Sequence, residues 1–195
     1  MAAGEARLAP SQFAVLVCDL QDGFRGVIPN MDDLIETTQV LLQAAEILNI
    51  PVVCSEQNPD RLGQTVSEIR NANASAAFFK KMAFSMVAPD CQVKQFLTNS
   101  NGIKSVIIVG IEAHICILQT ALDLLHMGYN VFLACDAVSS HYDIDRKIAL
   151  KRLAAEGVIL TTLESLLFQL LGTAEHPEFK KISSLVKTRK RRIAH

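Results

Sequence analysis

The sequence predicts a three-layer α/β/α sandwich built on a six-stranded, mostly parallel, Rossmann-like sheet. Six short runs rich in Val, Ile and Leu recur along the chain, and longer amphipathic stretches separate them. The runs lack polar alternation, which is typical of strands buried on both faces of a parallel sheet. Strands that alternate with helices in this way favour an α/β layered fold with right-handed crossovers.

The six predicted strands are residues 13–18, 51–54, 76–79, 105–109, 131–135 and 157–160. Three apolar stripes with helical spacing lie between or after them. The first begins near Asn30 or an adjacent Asp, the second ends at Gly128 and the third ends at Gly172. Their members are Leu34, Thr38, Leu41, Leu42, Ala45 and Leu48; Leu118, Ala121, Leu122 and Leu125; and Leu163, Leu166, Leu167 and Leu170.

The length of 195 residues, half of them apolar, predicts one domain over residues 1–185. Residues 186–195 form a basic C-terminal tail with Lys187, Arg189, Lys190, Arg191 and Arg192. A net charge of −1 and the absence of Trp argue against a nucleic-acid partner and against an acidic membrane surface. We find no apolar stretch of 18 residues and no secretory signal, so we expect no membrane span and an intracellular, cytoplasmic location.

The five cysteines are odd in number and show no zinc-site spacing, so we predict no metal, no cofactor and a reducing compartment. Cys18, Cys54 and Cys135 lie in apolar runs, where cysteine usually behaves as a small buried hydrophobe.

Three titratable residues each come just after a predicted strand, where parallel sheets bind ligands: Asp19, Lys81 and Cys116. Cys116 opens a helix, whose free N–H groups and dipole stabilise a thiolate. A thiol, a base and a cation make an activated nucleophile. Each residue also has a plain structural reading: a buried cysteine, a carboxylate that caps a turn, and a solvated lysine. Spacing alone does not show that the three meet.

Four stretches resemble the isochorismatase-like cysteine hydrolases, above all their eukaryotic isochorismatase domain-containing members. They are VLVCDLQDGFR at 15–25, KMAFSM at 81–86, VGIEAHICIL at 109–118 and DAVSS at 136–140. The resemblance covers about residues 12–185. It implies that Asp19 is the base, Lys81 the electrostatic partner and Cys116 the nucleophile. The implied reaction is hydrolysis of an amide, carbamoyl or related acyl bond of a small molecule.

The resemblance also implies an oxyanion hole made by the N–H groups of Glu112 and Cys116 and shaped by a cis peptide between Ile111 and Glu112. Ala113 stands where many relatives have Thr. We place the oxyanion hole and the substrate contacts together at Glu112, Ala113, Phe24, Phe84, His114 and Gln57. The family habit further implies a homo-oligomer, a dimer or a tetramer.

Relatives that use a metal carry an Asp-x-His pair after the second strand, where this chain reads Ser55-Glu56-Gln57. A catalytic metal and a nicotinamide substrate are therefore disfavoured. Two alternatives to the hydrolase stay open. One is a non-catalytic binding or scaffold protein that retains the fold, and the other is a nucleic-acid-processing protein that uses the basic tail.

Overall fold

The computed structural model describes residues 9–189, and its centre is one parallel sheet of six strands. The strand order is β3-β2-β1-β4-β5-β6, so the chain builds outwards to β3 and then crosses back to place β4 beside β1. This is the Rossmann-type order, with its switch point between β1 and β4. The strands are β1 Phe13–Cys18, β2 Val52–Gln57, β3 Ala77–Lys81, β4 Ser105–Gly110, β5 Asn130–Val138 and β6 Ile159–Thr161. The predicted fold class is confirmed.

Helices cover both faces of the sheet. They are α1 Met31–Ile47, α2 Pro59–Leu62, α3 Ser67–Arg70, α4 Gln92–Asn99, α5 Leu118–His126, α6 Asp143–Ala155, α7 Leu163–Leu171 and α8 Phe179–Thr188. Val15 and Val17 of β1 face a core that includes α1, α7 and α8, whereas Leu16 and Cys18 face a second core that includes α4, α5 and α6. None of the described helices has the length and apolarity that crossing a membrane requires.

Two of the three predicted apolar stripes are the buried faces of α1 and α7. The stripe on α5 is wrong in part. Ala121 is buried as expected, but the other buried apolar positions are Ile117 and Leu124, and Leu118 is only partly buried. A π-helical turn, Ala113–Ile117, precedes α5 and adds a residue to the turn, which changes the face that α5 presents to the sheet.

The boundary predicted at residue 185 falls inside α8. Val186 is buried in the core, and Arg189 donates to the carboxylate of Asp136 at 2.7 Å. Asp136, expected after the fifth strand, lies inside β5 because that strand continues to Val138. The remaining basic residues of the predicted tail, 190–192, lie outside the described residues.

Candidate active site

Three side chains converge at the carboxyl edge of the sheet. Asp19 follows β1, Lys81 closes β3, and Cys116 lies in the π-helical turn after β4. The Lys81 Nζ is 2.8 Å from the Asp19 carboxylate and 3.6 Å from the Cys116 Sγ. The Cys116 Sγ also lies within 4.8 Å of the Asp19 carboxylate. These distances confirm the expected convergence. Asp19, Lys81 and Cys116 are only 1%, 5% and 7% exposed, so the group is shielded from water.

Asp19 is held by its own backbone and by β2. Its φ of 52° is left-handed, which ends the strand conformation of β1. One carboxylate oxygen accepts from the Ser55 hydroxyl at 2.6 Å, and the other accepts from Lys81. Because a buried carboxylate is costly without partners, these two bonds offset the cost of its burial and fix its direction.

The ammonium of Lys81 is surrounded by acceptors. Besides Asp19, it donates to Gln57 Oε1 at 2.7 Å, to the Phe84 carbonyl at 2.9 Å and to the Ala83 carbonyl at 3.3 Å. Burial by itself would lower the pKa of Lys81, but the charges of the neighbouring thiols and of Asp19 outweigh it and raise the pKa. The site therefore contains a permanent buried cation.

Gln57, predicted to contact substrate, holds Lys81. Its Oε1 accepts from the ammonium, and its Nε2 donates to the Met82 carbonyl at 2.9 Å. Gln21 fixes the backbone of Gln57 from both sides, accepting from its N–H at 2.7 Å and donating to its carbonyl at 3.0 Å. Sequence reasoning missed Gln21, although an amide two residues after Asp19 was a usable signal.

The segment before Cys116 supplies backbone donors. The peptide between Ile111 and Glu112 is cis, as expected from the resemblance. The described backbone bonds made outside helices and strands use the N–H groups of Ala113, Ile115 and Ile117 but not those of Glu112 and Cys116. Of the two N–H groups expected to form the oxyanion hole, that of Glu112 has no partner among these bonds, and that of Cys116 lies inside the π-helical turn.

Cys18, expected to be a structural hydrophobe, is fully buried. Sequence reasoning missed that its Sγ lies within 4.8 Å of both the Cys116 Sγ and the Asp19 carboxylate. Burial, then the contact with Cys116 and the charge of Asp19, raises the pKa of Cys18 well above that of an ordinary thiol. Cys135, expected to be shielded, is only half-buried.

Three of the predicted contact residues tie the π-helical turn to the loop after β5. The Glu112 carboxylate accepts from the His141 N–H at 2.8 Å, and His114 Nδ1 lies 3.1 Å from the Ser140 hydroxyl. Ala113 is fully buried, and its N–H donates to a loop carbonyl at 2.9 Å. These residues are thus engaged in holding the Cys116 segment in place.

The two predicted aromatic contacts differ in burial. Phe24 is half-buried and packs against the core that contains α1. Phe84 is 51% exposed, and its carbonyl accepts from Lys81 at 2.9 Å. A cavity of about 540 Å³ lies next to this segment, a volume that suits a small molecule. Its lining includes Asn58, Lys81, Met82, Ala83, Pro89 and Cys91.

The residues at the end of β2 do not fit a catalytic metal. Ser55 donates to Asp19, Gln57 binds Lys81, and Glu56 is bonded to Arg70 and to the Thr65 N–H. Among the described residues, Cys18, Asp19 and Cys116 could geometrically surround a cation. The Lys81 ammonium, however, already lies against two of the three.

The isochorismatase domain family matches residues 13–165. The chain is 46% identical over 180 residues to isochorismatase domain-containing protein 1 of Danio rerio, covering 92% of this chain and 62% of that protein. It is 44% identical over 184 residues to the secreted isochorismatase effector Isc1 of Phytophthora sojae, covering 93% of this chain and 87% of that one. The solved structure of MAR1 ribonuclease from Caenorhabditis elegans aligns with a TM-score of 0.90 at 39% identity, covering 97% of this chain and 98% of that one.

Proposed function

Because the chain belongs to the isochorismatase family, we propose that it is a cysteine-dependent hydrolase that cleaves an amide, carbamoyl or related acyl bond of a small molecule. The observation that carries the proposal is the buried ammonium of Lys81, 2.8 Å from the Asp19 carboxylate and 3.6 Å from the Cys116 Sγ. A base and a thiol that both lie against one cation are what an activated nucleophile needs.

In the first step the Cys116 thiol transfers its proton to Asp19. The Sγ and the carboxylate lie within 4.8 Å of each other, a separation that one bridging water spans. The charge of Lys81 stabilises the thiolate that remains, and its bond to Asp19 keeps the carboxylate directed into the site.

The thiolate then attacks the carbonyl carbon of the substrate. The negative charge that develops on the carbonyl oxygen needs donors that are already in place, and the N–H groups of Glu112 and Cys116 fill this role. Asp19 returns the proton to the leaving group as the tetrahedral adduct collapses. Water then hydrolyses the acyl–Cys116 bond and regenerates the thiol.

The alternative of a non-catalytic scaffold has less support from the site. Burying an ion pair costs desolvation free energy that an apolar pair would avoid, and Lys81 and Asp19 are both nearly inaccessible. Such a pair beside a thiol is costly without a chemical role, which favours an enzyme.

A substrate screen with a matched cysteine control tests the proposal. We expect at least one amide or carbamoyl compound to be hydrolysed, and Cys116→Ala to abolish turnover while unfolding at the wild-type temperature. Cys54 is another buried thiol, and Cys54→Ala should retain activity.

Thiol labelling tests the activation of Cys116 separately. Limiting iodoacetamide at neutral pH should label Cys116 before the other cysteines, and Lys81→Met should slow the labelling of Cys116. If Cys116 and Cys91 are labelled at equal rates in wild type and in Lys81→Met, Cys116 is not activated and the scaffold alternative is favoured.

RNA cleavage is a second candidate, favoured by the similarity to MAR1 ribonuclease of Caenorhabditis elegans. A labelled RNA should then be cut by the wild-type chain, with cleavage falling as salt rises because phosphate contacts are screened. Loss of that cleavage in Cys116→Ala would place RNA at the same site. Uncut RNA at low salt would remove this candidate.

We also propose an intracellular location and a dimer or tetramer. All five cysteines are free thiols, as expected in a reducing compartment. Exposed apolar residues on α6 support self-association.

A further inference from the structure

The site contains a second thiol that the proposed reaction does not use. In a regular strand, consecutive side chains point to opposite faces, so Cys18 and Asp19 should diverge. The left-handed φ of 52° at Asp19 breaks this alternation, and both side chains reach Cys116. The Sγ atoms of Cys18 and Cys116 lie within 4.8 Å of each other.

We propose that Cys18 and Cys116 form a two-thiol modification site that reacts with hydroperoxides, in which Cys18 converts oxidised Cys116 into an intramolecular disulfide. The proposal rests on the proposed function in one respect, the reactivity of Cys116 as a thiolate. It does not depend on which bond the enzyme hydrolyses.

The chemistry has two balanced steps. The Cys116 thiolate attacks the outer oxygen of ROOH and forms Cys116–SOH; the O–O bond breaks, and the departing alkoxide takes a proton to give ROH. The Cys18 sulfur then attacks the sulfur of Cys116–SOH. An S–S bond forms, the S–O bond breaks, and the departing hydroxide leaves as water with the proton of Cys18.

The surroundings assign different roles to the two thiols. Cys116 is the more exposed and lies against Lys81, so peroxide reaches it first. Cys18 is fully buried and cannot meet peroxide from solvent, but the neighbouring Asp19 carboxylate can accept its proton during the attack. The sulfur atoms, which lie within 4.8 Å of each other, must close to about 2.05 Å to form the bond.

The other cysteines are worse partners. Cys54 belongs to the core on the opposite face of the sheet. Cys91 immediately precedes α4, and its thiol donates to the Ser85 carbonyl. Cys135 lies in β5, and its thiol donates to the Leu133 carbonyl. Among the described residues, only Cys18 is grouped with Cys116 and Asp19.

The test is peptide mapping of the full chain after treatment with a small excess of hydrogen peroxide. We expect a cross-linked pair of peptides containing Cys18 and Cys116, two hydrogens lighter than their sum, which dithiothreitol reverses. Cys18→Ala should lose the cross-link, and its Cys116 should accumulate dimedone-reactive sulfenic acid and then sulfinic acid several-fold above wild type. Cys54→Ala is the matched control and should behave as wild type.

Absence of the cross-link in the wild-type chain, or a link from Cys116 to any other cysteine, would overturn the proposal. Equal sulfinic acid yields in wild type and Cys18→Ala would also overturn it. If Cys18→Ala does not fold, Cys18→Ser replaces it, and the wild-type map decides the matter without any variant. Iodoacetamide labelling without peroxide is scored separately, so failure of Cys116 as an activated thiol is distinguishable from failure of this pairing.

Discussion

Lys81 has three N–H protons and five acceptors within reach. The three shortest contacts, to Gln57, Asp19 and the Phe84 carbonyl at 2.7, 2.8 and 2.9 Å, use all three protons. The Cys116 Sγ at 3.6 Å therefore experiences Lys81 mainly as a nearby charge. Gln57 is a neutral acceptor, so it fixes the ammonium without adding a second negative charge beside Asp19.

Replacing Gln57 by Glu tests this role of the ammonium. Lys81 already contacts the Asp19 carboxylate, so a second carboxylate at position 57 would make the group net negative and disfavour a thiolate on Cys116. We expect iodoacetamide at neutral pH to alkylate Cys116 several-fold more slowly in Gln57→Glu than in wild type. Gln57→Met, which removes the acceptor but adds no charge, should show no comparable loss of rate. Equal alkylation rates in wild type and Gln57→Glu would contradict this role.

At the residue scale, sequence reasoning identifies the residues that carry charge or a thiol and misses those that position them. Asp19 and Cys116 follow strands and Lys81 ends one, and this placement near strand ends is visible in the sequence. The roles of Gln21 and Cys18 depend on a left-handed backbone at Asp19, which no periodicity reports. The role of Gln57 is equally hidden, because the hydrogen bonds of its side-chain amide join residues that are far apart in the sequence.

At the element scale, the site depends on how closely β1 approaches β4. Gly110 ends β4 with φ 115°, and a Cβ built there would lie 2.1 Å from the Cys18 carbonyl oxygen. No side chain fits in that space, and L-residues rarely adopt that φ. Glycine at this position therefore allows the ends of the two strands, which carry Cys18 and the Cys116 segment, to come together.

Gly110→Ala should destabilise the fold by at least about 3 kcal/mol, since it combines backbone strain with a clash against rigid main chain. Gly102 is a matched control, with φ 97° and nothing within 4 Å of the position that a Cβ would take. Gly102→Ala should cost only the strain, about 1–2 kcal/mol. Urea unfolding of both variants measures the difference, and equal losses would mean that the close approach is not limiting.

A buried thiol on β2 gives the fold a pH dependence. Burial raises the pKa of Cys54 to about 12, from an ordinary value of 9.0. The pKa of Cys54 is higher in the folded state than in the unfolded state. The contribution of the neutral Cys54 thiol to the free energy of unfolding is therefore complete below pH 9 and is lost as the pH rises towards 12. The loss has a slope of up to about 1.4 kcal/mol per pH unit.

Cys54→Ala should therefore flatten the decline in the free energy of unfolding over this alkaline window. The comparison is a difference between two proteins, so other groups that titrate at high pH largely cancel. Urea unfolding at several pH values measures it. Parallel curves for wild type and Cys54→Ala would show that the thiol stays accessible to solvent.

The strands are predictable because uninterrupted Val, Ile and Leu runs have one plausible interpretation in an α/β chain. The π-helical turn is not, since its sequence AHICI has no compositional signature and differs from an α-helix only in hydrogen bonding. That turn shifts the buried face of α5. The prediction for β5 is too short because Asp136 resembles a strand end, whereas it accepts from the Leu163 N–H beside the sheet.

At the scale of the whole molecule, the order of the strands decides which residues meet. The apolar runs predict six strands but do not state that β4 returns to lie beside β1. That crossover brings the distant Cys116 segment to Asp19. The topology follows from the family resemblance and from the general rule for crossovers, not from periodicity.

The predicted oligomer has a candidate surface on the outer side of α6. Tyr142, Ile144 and Ile148 are 61%, 61% and 60% exposed, and the two isoleucines lie one helical turn apart. Apolar side chains grouped in this way favour burial against a second copy of the chain. We expect the protein to elute as a dimer or tetramer, and Ile148→Asp to shift it towards the monomer in light scattering. Gln169→Asp is the control, because it adds the same charge to α7 in the opposite layer and should leave the assembly unchanged. A monomeric wild-type protein would contradict this assignment. An Ile148→Asp variant that assembles like wild type would also contradict it.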